Sequence, residues 1–369
     1  MVSKRTLGIV AGGSAVALLA ATAVLLATRP SGGGRPATAS AAGSAGGHPA
    51  ASGAPLRDLA AARGVHVGTA MAAGRLGGIP GRIAAAQFDS VTPENEMKWE
   101  RVEPERGRYD WAPGDAVVAF AKAHGMQVRG HNLVWHSQLP EWLTTGDFDA
   151  DGLRDVMLRH VTDEVTHYKG EIAAWDVVNE PLDDDGSFRA GLWYRQLGAS
   201  YIADAFTAAH AADPAAKLYV NDYGIEGAGP KSDAMYELVA SLKKQGVPID
   251  GVGFQAHFAL GRVPATFRAT MQRFADLGLD VAVTELDVRM PTPPDAAALR
   301  RQADDYRAVV EDCLAVSRCR GIAVWGLSDA TSWVPDAFPG QGAATPYDAS
   351  YRPKPAYDAM WAALHGDRG

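Results

Sequence analysis

The stretch I-A-A-W-D-V-V-N-E-P, residues 172–181, decides the fold. Its middle is apolar on both alternating sets of positions, as in a parallel strand covered on both faces. Asn179 and Glu180 end it, and Pro181 is expected to hold Glu180 in an extended conformation. The residues before it, 151–169, have helical spacing, with Leu153, Val156, Val161 and Val165 on one side and Gly170 as the stop.

The same unit recurs along the chain. Short apolar, β-branched runs lie at 65–70, 87–92, 127–133, 172–179, 217–221, 251–257, 280–286 and 321–327, separated by longer segments with helical punctuation. Between the second and third, Pro113 falls at the first helical position, Val117, Val118, Phe120 and Ala121 form an apolar stripe, and Gly125 ends it. The spacing is irregular, which excludes a solenoid. Eight βα units in about 310 residues predict an α/β fold, a (β/α)8 TIM barrel forming a single catalytic domain over residues 55–366. A doubly wound sheet is the alternative, but no G-x-G-x-x-G follows the first run.

The chain has 369 residues, 47% hydrophobic and 21% charged, with two cysteines. That excludes a disordered chain and a disulfide scaffold. Residues 1–57 hold five of the 35 basic residues and none of the 43 acidic ones, so the remainder has 30 against 43, a net charge of −13. Such a body repels nucleic acid and anionic membranes by its net field, and no nucleic-acid partner is expected. Lys4-Arg5 precede an uncharged stretch from Thr6 to Thr28. Residues 1–30 thus read either as a secretory signal, with small-residue cleavage sites at Ala37-Thr38-Ala39 and Ala39-Ser40-Ala41, or as an uncleaved signal anchor spanning 6–28. A buried core helix fits less well. Both readings put the body outside the cell, secreted in one case and membrane-anchored through this segment alone in the other. Residues 31–54, rich in Gly, Ala, Ser and Pro, read as a flexible linker.

In a barrel, functional residues gather at the carboxyl ends of the strands. These ends hold Glu94-Asn95 with Lys98, His131 with Trp135, Asn179-Glu180, Asn221-Asp222-Tyr223, Gln255 with His257, Glu285 with Asp287, and Trp325. Singly, such a Glu is a surface charge and such a His a core residue. Together, barrel closure points them at one mouth. Glu180 and Glu285 end the fourth and seventh of eight runs and so face each other across it. Opposed carboxylates suit hydrolysis of a glycosidic bond, one neutral to protonate the leaving oxygen and one ionised to attack. Alternation puts Asp287 on the face of Glu285, and His257 on the adjacent run could bond both, favouring a charged nucleophile. Strict alternation points Asn179 away from the mouth unless the strand bends. Trp135, Tyr223, Trp325 and Trp333 supply flat apolar faces for sugar rings.

Six motifs now resemble a known family. V-T-P-E-N-E-M-K-W (91–99), R-G-H-N-L-V-W-H (129–136), W-D-V-V-N-E-P (175–181), V-G-F-Q-A-H (252–257), T-E-L-D (284–287) and W-G-L-S-D-A-T-S-W (325–333) stand in the order found in glycoside hydrolase family 10, endo-β-1,4-xylanases on a (β/α)8 barrel that retain anomeric configuration. The likeness runs from about Leu56 to P-K-P-A-Y (353–357). It implies retaining endo-hydrolysis of xylan by double displacement, with Glu180 as acid/base and Glu285 as nucleophile. His257, Asp287 and Asn179 would support catalysis. Glu94, Asn95, Lys98, His131, Trp135, Tyr223, Gln255, Trp325 and Trp333 would bind xylan and xylo-oligosaccharides. It also implies a Cys313–Cys319 disulfide; separately, no cofactor, no metal and a monomer are expected. The sequence departs from the family at Gly224, where Asn is usual after Asn-Asp-Tyr, and at Val334, where Arg is common. Residues 335–347 are also its own.

Other chemistries lack their residues. There is no C-x-x-C, H-E-x-x-H, G-x-S-x-G or phosphate-cradling loop, and His160 and His167, a heptad apart on a predicted helix, suit surface or core roles. Two alternatives stay open: a non-catalytic polysaccharide-binding barrel, against which the paired glutamates argue, and a glucan-cleaving relative.

Overall fold

The structure, a computed structural model, describes residues 53–366. The leader, and all but the last two residues of the linker, lie outside the described residues. Strands form at β1 (His66–Met71), β2 (Ser90–Pro93), β3 (Gln127–Val134), β4 (Ala174–Asn179), β5 (Lys217–Asp222), β6 (Gly251–Phe254), β7 (His257–Ala259), β8 (Asp280–Pro291), β9 (Cys319–Val324) and β10 (Gln341–Gly342). Eight of them pair in parallel in the order β8-β6-β5-β4-β3-β2-β1-β9, and β8 pairs with β9 to close the ring. The eight predicted runs are the eight barrel strands, each followed by a helix.

The stretch that decides the fold shows how the pieces are held. Helix Ala150–His167 starts at Asp149, whose carboxylate accepts from Gly152 N, and it buries Leu153, Val156, Val161 and Val165. The chain turns through Gly170, φ 78°, into β4. Trp175 is fully buried, and its ring occupies the space where a Cβ on Gly130 of β3 would lie, 2.2 Å away, so only glycine serves at 130. His160 and His167 take structural roles: His160 is buried and stacked 3.7 Å from Trp99, and His167 stacks on Trp111.

Two strands depart from the expected runs. The sixth run breaks in two, because Ala256 adopts φ 61° and interrupts the ladder between β6 and β7. The seventh extends to Pro291, since its outer half pairs with β7 on one side and β10 on the other. Both irregularities lie at the carboxyl end of the barrel. Cys313 and Cys319 form the disulfide, joining helix Ala296–Leu314 to the start of β9. Among the described residues no helix is long and apolar enough to cross a membrane.

Candidate active site

A cleft of about 1080 Å³ opens at the carboxyl end of the strands. Glu94, Asn95, Lys98, His131, Trp135, Asn179, Glu180, Tyr223, Gln255, His257, Glu285, Trp325 and Trp333 all line it. Asp287 lies just beneath, fully buried. Barrel order sets the layout: β4 and β8 hold Glu180 and Glu285, with β1–β3 and β9 on one side of the line between them and β5–β7 on the other.

Glu180 is not extended as the following proline predicts. It adopts φ 54°, an uncommon backbone conformation for a residue without glycine's freedom. Its N–H donates to Asn221 O at 2.8 Å, and Arg189 Nε donates to its carbonyl at 3.0 Å, which fixes the turn. The bend breaks strict alternation, so Asn179 and Glu180 both reach the cleft although they are neighbours in sequence.

Three donors converge on the Glu180 carboxylate. Trp135 Nε1 and His136 Nε2 each lie 2.9 Å from Oε2, and Gln255 Nε2 lies 3.1 Å from Oε1. Burial pushes this carboxyl up, but the hydrogen bonds from His136, Gln255 and Trp135 outweigh it and hold the pKa at about 2. This arrangement keeps Glu180 ionised, where the sequence reading expects one of the pair neutral.

Glu285 is 5% exposed and bound differently. Asn221 Nδ2 donates to its Oε1 at 2.7 Å, and His257 Nε2 lies 3.1 Å from its Oε2. His257 Nδ1 lies 3.0 Å from Asp287 Oδ2, so one imidazole joins the two carboxylates as alternation suggests. Burial pushes the imidazole down, but the charge and hydrogen bond of Asp287, with those of Glu285, raise it to about 10. Trp333 Nε1 donates to the same Asp287 oxygen at 2.7 Å.

The supports reach deeper and to both sides. Arg129 binds Asp176 in the barrel interior, and Asp176 Oδ2 meets His131 Nδ1 at 3.0 Å, which orients His131 beneath the cleft. Lys98 is buried, with Nζ 3.0 Å from Asn95 Oδ1 and 5.1 Å from the centre of the Trp135 ring. Burial lowers its pKa against the pull of Glu285, Glu94 and Glu180. Burial raises Glu94, which Arg75 Nη1 approaches to 3.5 Å. Trp325 meets His131 edge-on at 5.2 Å. On the opposite side, Arg189 donates to the Tyr223 hydroxyl at 3.0 Å, and Lys231 Nζ sits 3.5 Å above the Tyr223 ring.

His136 and Asn221 each contact one of the two glutamates; Asn221 stands among the strand-end residues without an assigned role, and His136 is not singled out in the sequence. His136 closes the motif 129–136, but alternation after Trp135 points it elsewhere; both reach Glu180 because β3 ends at Val134. Asn221 stands at a strand end like its selected neighbours, and its contact with Glu285 reaches past β6, the one strand between β5 and β8 in the ring.

Comparison with known proteins agrees with this geometry. The model of glycosyl hydrolase family 10 matches residues 55–363. The chain is similar to the endo-1,4-beta-xylanase of Agaricus bisporus, 48% identical over 275 residues, which is 74% of this chain and 83% of that protein. It is also similar to endo-1,4-beta-xylanase A of Phanerodontia chrysosporium, 48% identical over 273 residues, 74% of this chain and 67% of that one. Among solved structures, native xylanase 10B from Thermotoga maritima superposes with a TM-score of 0.83 at 39% identity, covering 85% of this chain and 98% of its own. Xylanase 10B from Thermotoga petrophila, in complex with xylobiose, gives 0.82 at 39% identity, covering 85% and 97%.

Proposed function

Because the chain belongs to glycosyl hydrolase family 10, we propose that it cleaves internal β-1,4 bonds of xylan with retention of configuration, Glu285 acting as nucleophile and Glu180 as acid and then base. The observation that carries this reading is the asymmetric bonding of two carboxylates in one cleft. Glu285 has a neutral amide on one oxygen and a cationic imidazole on the other, which fixes the position of an attacking carboxylate oxygen. Glu180 has three hydrogen-bond donors on its carboxylate, and burial pushes against them towards the acid form. Substrate filling the cleft strips water from Glu180 and strengthens that push, while the negative charge of Glu285 acts in the same direction. The proton then passes to the leaving oxygen as Glu285 bonds to the anomeric carbon.

In the covalent intermediate Glu285 is neutral. The three donors on Glu180 then face no competing charge, and Glu180 returns to its ionised form and takes a proton from water. Water attacks the anomeric carbon, the Glu285 ester breaks, and configuration is retained. The aromatic faces of Trp135, Trp325 and Trp333 suit the apolar faces of xylose rings, and Asn95, Lys98 and Asn179 suit their hydroxyls. The disulfide and the apolar leader support action outside the cell, where the polymer is.

The test is product analysis of the protein on soluble xylan and carboxymethylcellulose side by side, with the anomeric form followed by proton NMR and Glu285→Gln as control. Short xylo-oligosaccharides from xylan, first formed as the β-anomer and lost in the control, are expected. Binding to xylan without any products would make the chain a polysaccharide-binding barrel. Equal turnover of carboxymethylcellulose would make it a broader glucanase.

A further inference from the structure

Four lysines and arginines line the cleft: Lys98, Lys231, Arg262 and Arg289. The first two are engaged. Lys98 bonds Asn95 among four glutamates, and Lys231 Nζ lies 2.9 Å from Asp222 Oδ1. Arg262 and Arg289 differ. Among the described residues no carboxylate lies within ion-pair distance of either, and no hydrogen bond reaches either side chain. Arg289 Nε is buried without a partner. Its guanidinium lies over the Phe338 ring at 4.1 Å, which holds it in place and leaves its edge free. A buried donor without a partner, as at Arg289 Nε, is costly unless something else completes it.

The two are neighbours on one rim. Arg289 pairs with Ala259 in the β7–β8 register, Leu260 N donates to Arg289 O at 2.9 Å, and Arg262 N donates to Ala259 O at 3.0 Å. Arg289 stands two and four residues beyond Asp287 and Glu285 on β8, so it shares their face, further out along the wall. The segment beside it, Gly224 and Gly227–Gly229, carries nothing larger than a methyl group, and Gly227 packs on Pro264 of the Arg262 loop. The rim therefore sets two guanidinium groups beside open space, in a body whose net charge is −13; Glu226, which also lines the cleft, is 4% exposed and accepts from Ala256 N at 2.8 Å.

Resting on the reading of the cleft as a xylan site, we propose that Arg262 and Arg289 form a subsite for the carboxylate of a uronic acid branch on the polysaccharide. A β-1,4-xylose backbone is uncharged, so the anion must come from an acidic sugar attached to it. Guanidinium edges match a carboxylate in two parallel hydrogen bonds. The small residues at Gly224 and Gly227–Gly229 supply space for the branch.

The experiment compares kcat/KM on glucuronic-acid-branched xylan with that on the same polymer after its carboxyl groups are reduced to alcohols, for the wild type and for Arg262→Gln/Arg289→Gln. The wild type is expected to favour the acidic polymer by about 3- to 10-fold, mostly through KM, because the rim lies away from the reacting atoms. In the double variant the ratio falls to about one. A wild-type ratio of one, or a ratio kept by the variant, overturns the proposal. If the double variant does not fold, Arg262→Gln at its exposed position carries the test: a ratio at least halved supports the subsite, and an unchanged one overturns it. Linear xylohexaose separates the two readings. Failure of the wild type to cleave it removes the xylanase assignment itself, whereas cleavage without preference for the acidic polymer removes only the subsite.

Discussion

Asn221→Asp perturbs the centre of the site without changing its shape. Asn221 is fully buried; its Nδ2 donates to Glu285 Oε1 at 2.7 Å and to Asn179 Oδ1 at 2.8 Å, and its Oδ1 accepts from Thr284 Oγ1 at 2.7 Å. The substitution replaces the two-hydrogen donor by an oxygen that must carry a proton to donate at all. The introduced carboxyl and Glu285 would then share a buried site at hydrogen-bond distance and titrate as a coupled pair, with the upper apparent pKa raised. While the pair holds one proton, that proton spends part of its time on Glu285 and silences it. Above the upper pKa the donor is gone and a second negative charge faces Glu285. A hydrogen bond to a charged group is worth about 1.5–3 kcal/mol, so kcat/KM at neutral pH should fall about 10- to 100-fold. The fall should deepen as pH rises through the upper pKa, a limb that the amide of the wild type cannot produce. The assay is the pH dependence of kcat/KM on an aryl xylobioside, with Asn221→Ala as a variant that loses the hydrogen bond without gaining a titrating group. A folded Asn221→Asp protein whose profile superimposes on that of the wild type would refute the reasoning.

Three further outcomes are expected. His136→Phe removes the leading hydrogen bond on Glu180, so its carboxyl should titrate closer to 4.5 than to about 2 in carbon-13 NMR of labelled glutamate. Glu180 is depressed in the fold, so it contributes stability above about pH 4.5 that is lost as pH falls towards 2; the variant should be less stable at neutral pH and lose less on acidification. Cys313→Ser/Cys319→Ser opens a loop with a sequence separation of 6, for which loop entropy gives about 2 kcal/mol, so calorimetry should show Tm lowered by a few degrees with activity retained at 25 °C. Gly224→Asn should be tolerated, since asparagine accepts the φ of 70° and the new Cβ meets Lys231 only at 3.6 Å; it adds a polar group to the cleft, and KM on linear xylohexaose should fall.

Much of this molecule is legible in one dimension because a parallel barrel leaves two strong traces. Each strand is apolar on both faces, so each reads as a short run, and each ends at the same face, so polar residues that follow the runs belong to one mouth. Glu180 and Glu285 are found by that rule alone. Departures from regular strand geometry are not written in the pattern. The φ of 54° at Glu180 overrides the extended preference imposed by Pro181, because Asn221 O and Arg189 hold the turn from other parts of the chain. The break at Ala256 is equally silent, with Glu226 Oε1 accepting from Ala256 N at 2.8 Å to support it. His136 escapes for the same reason, since it acts beyond the last paired residue of β3, where alternation no longer applies.

Those irregular positions also decide which groups can move protons. The two glutamates are joined through neutral amides: Gln255 Nε2 lies 3.1 Å from Glu180 and 3.4 Å from Asn179 Oδ1, and Asn221 bridges Asn179 to Glu285. Amides do not titrate, so this chain fixes distance and direction without offering a route for a proton. His257 is ionisable, but Asp287 and Glu285 raise its pKa to about 10, which leaves it cationic through the neutral range and unable to act as a base there. Its stabilising pairing is complete below about 6.5 and lost as pH rises through about 10. Glu285 is committed to that cation. Glu180 is left as the carboxylate on which burial opposes three donors, and in the open cleft the donors prevail. In the proposed double displacement the proton leaves this group in one half and one returns in the other, and the charge on Glu285 differs between the two halves.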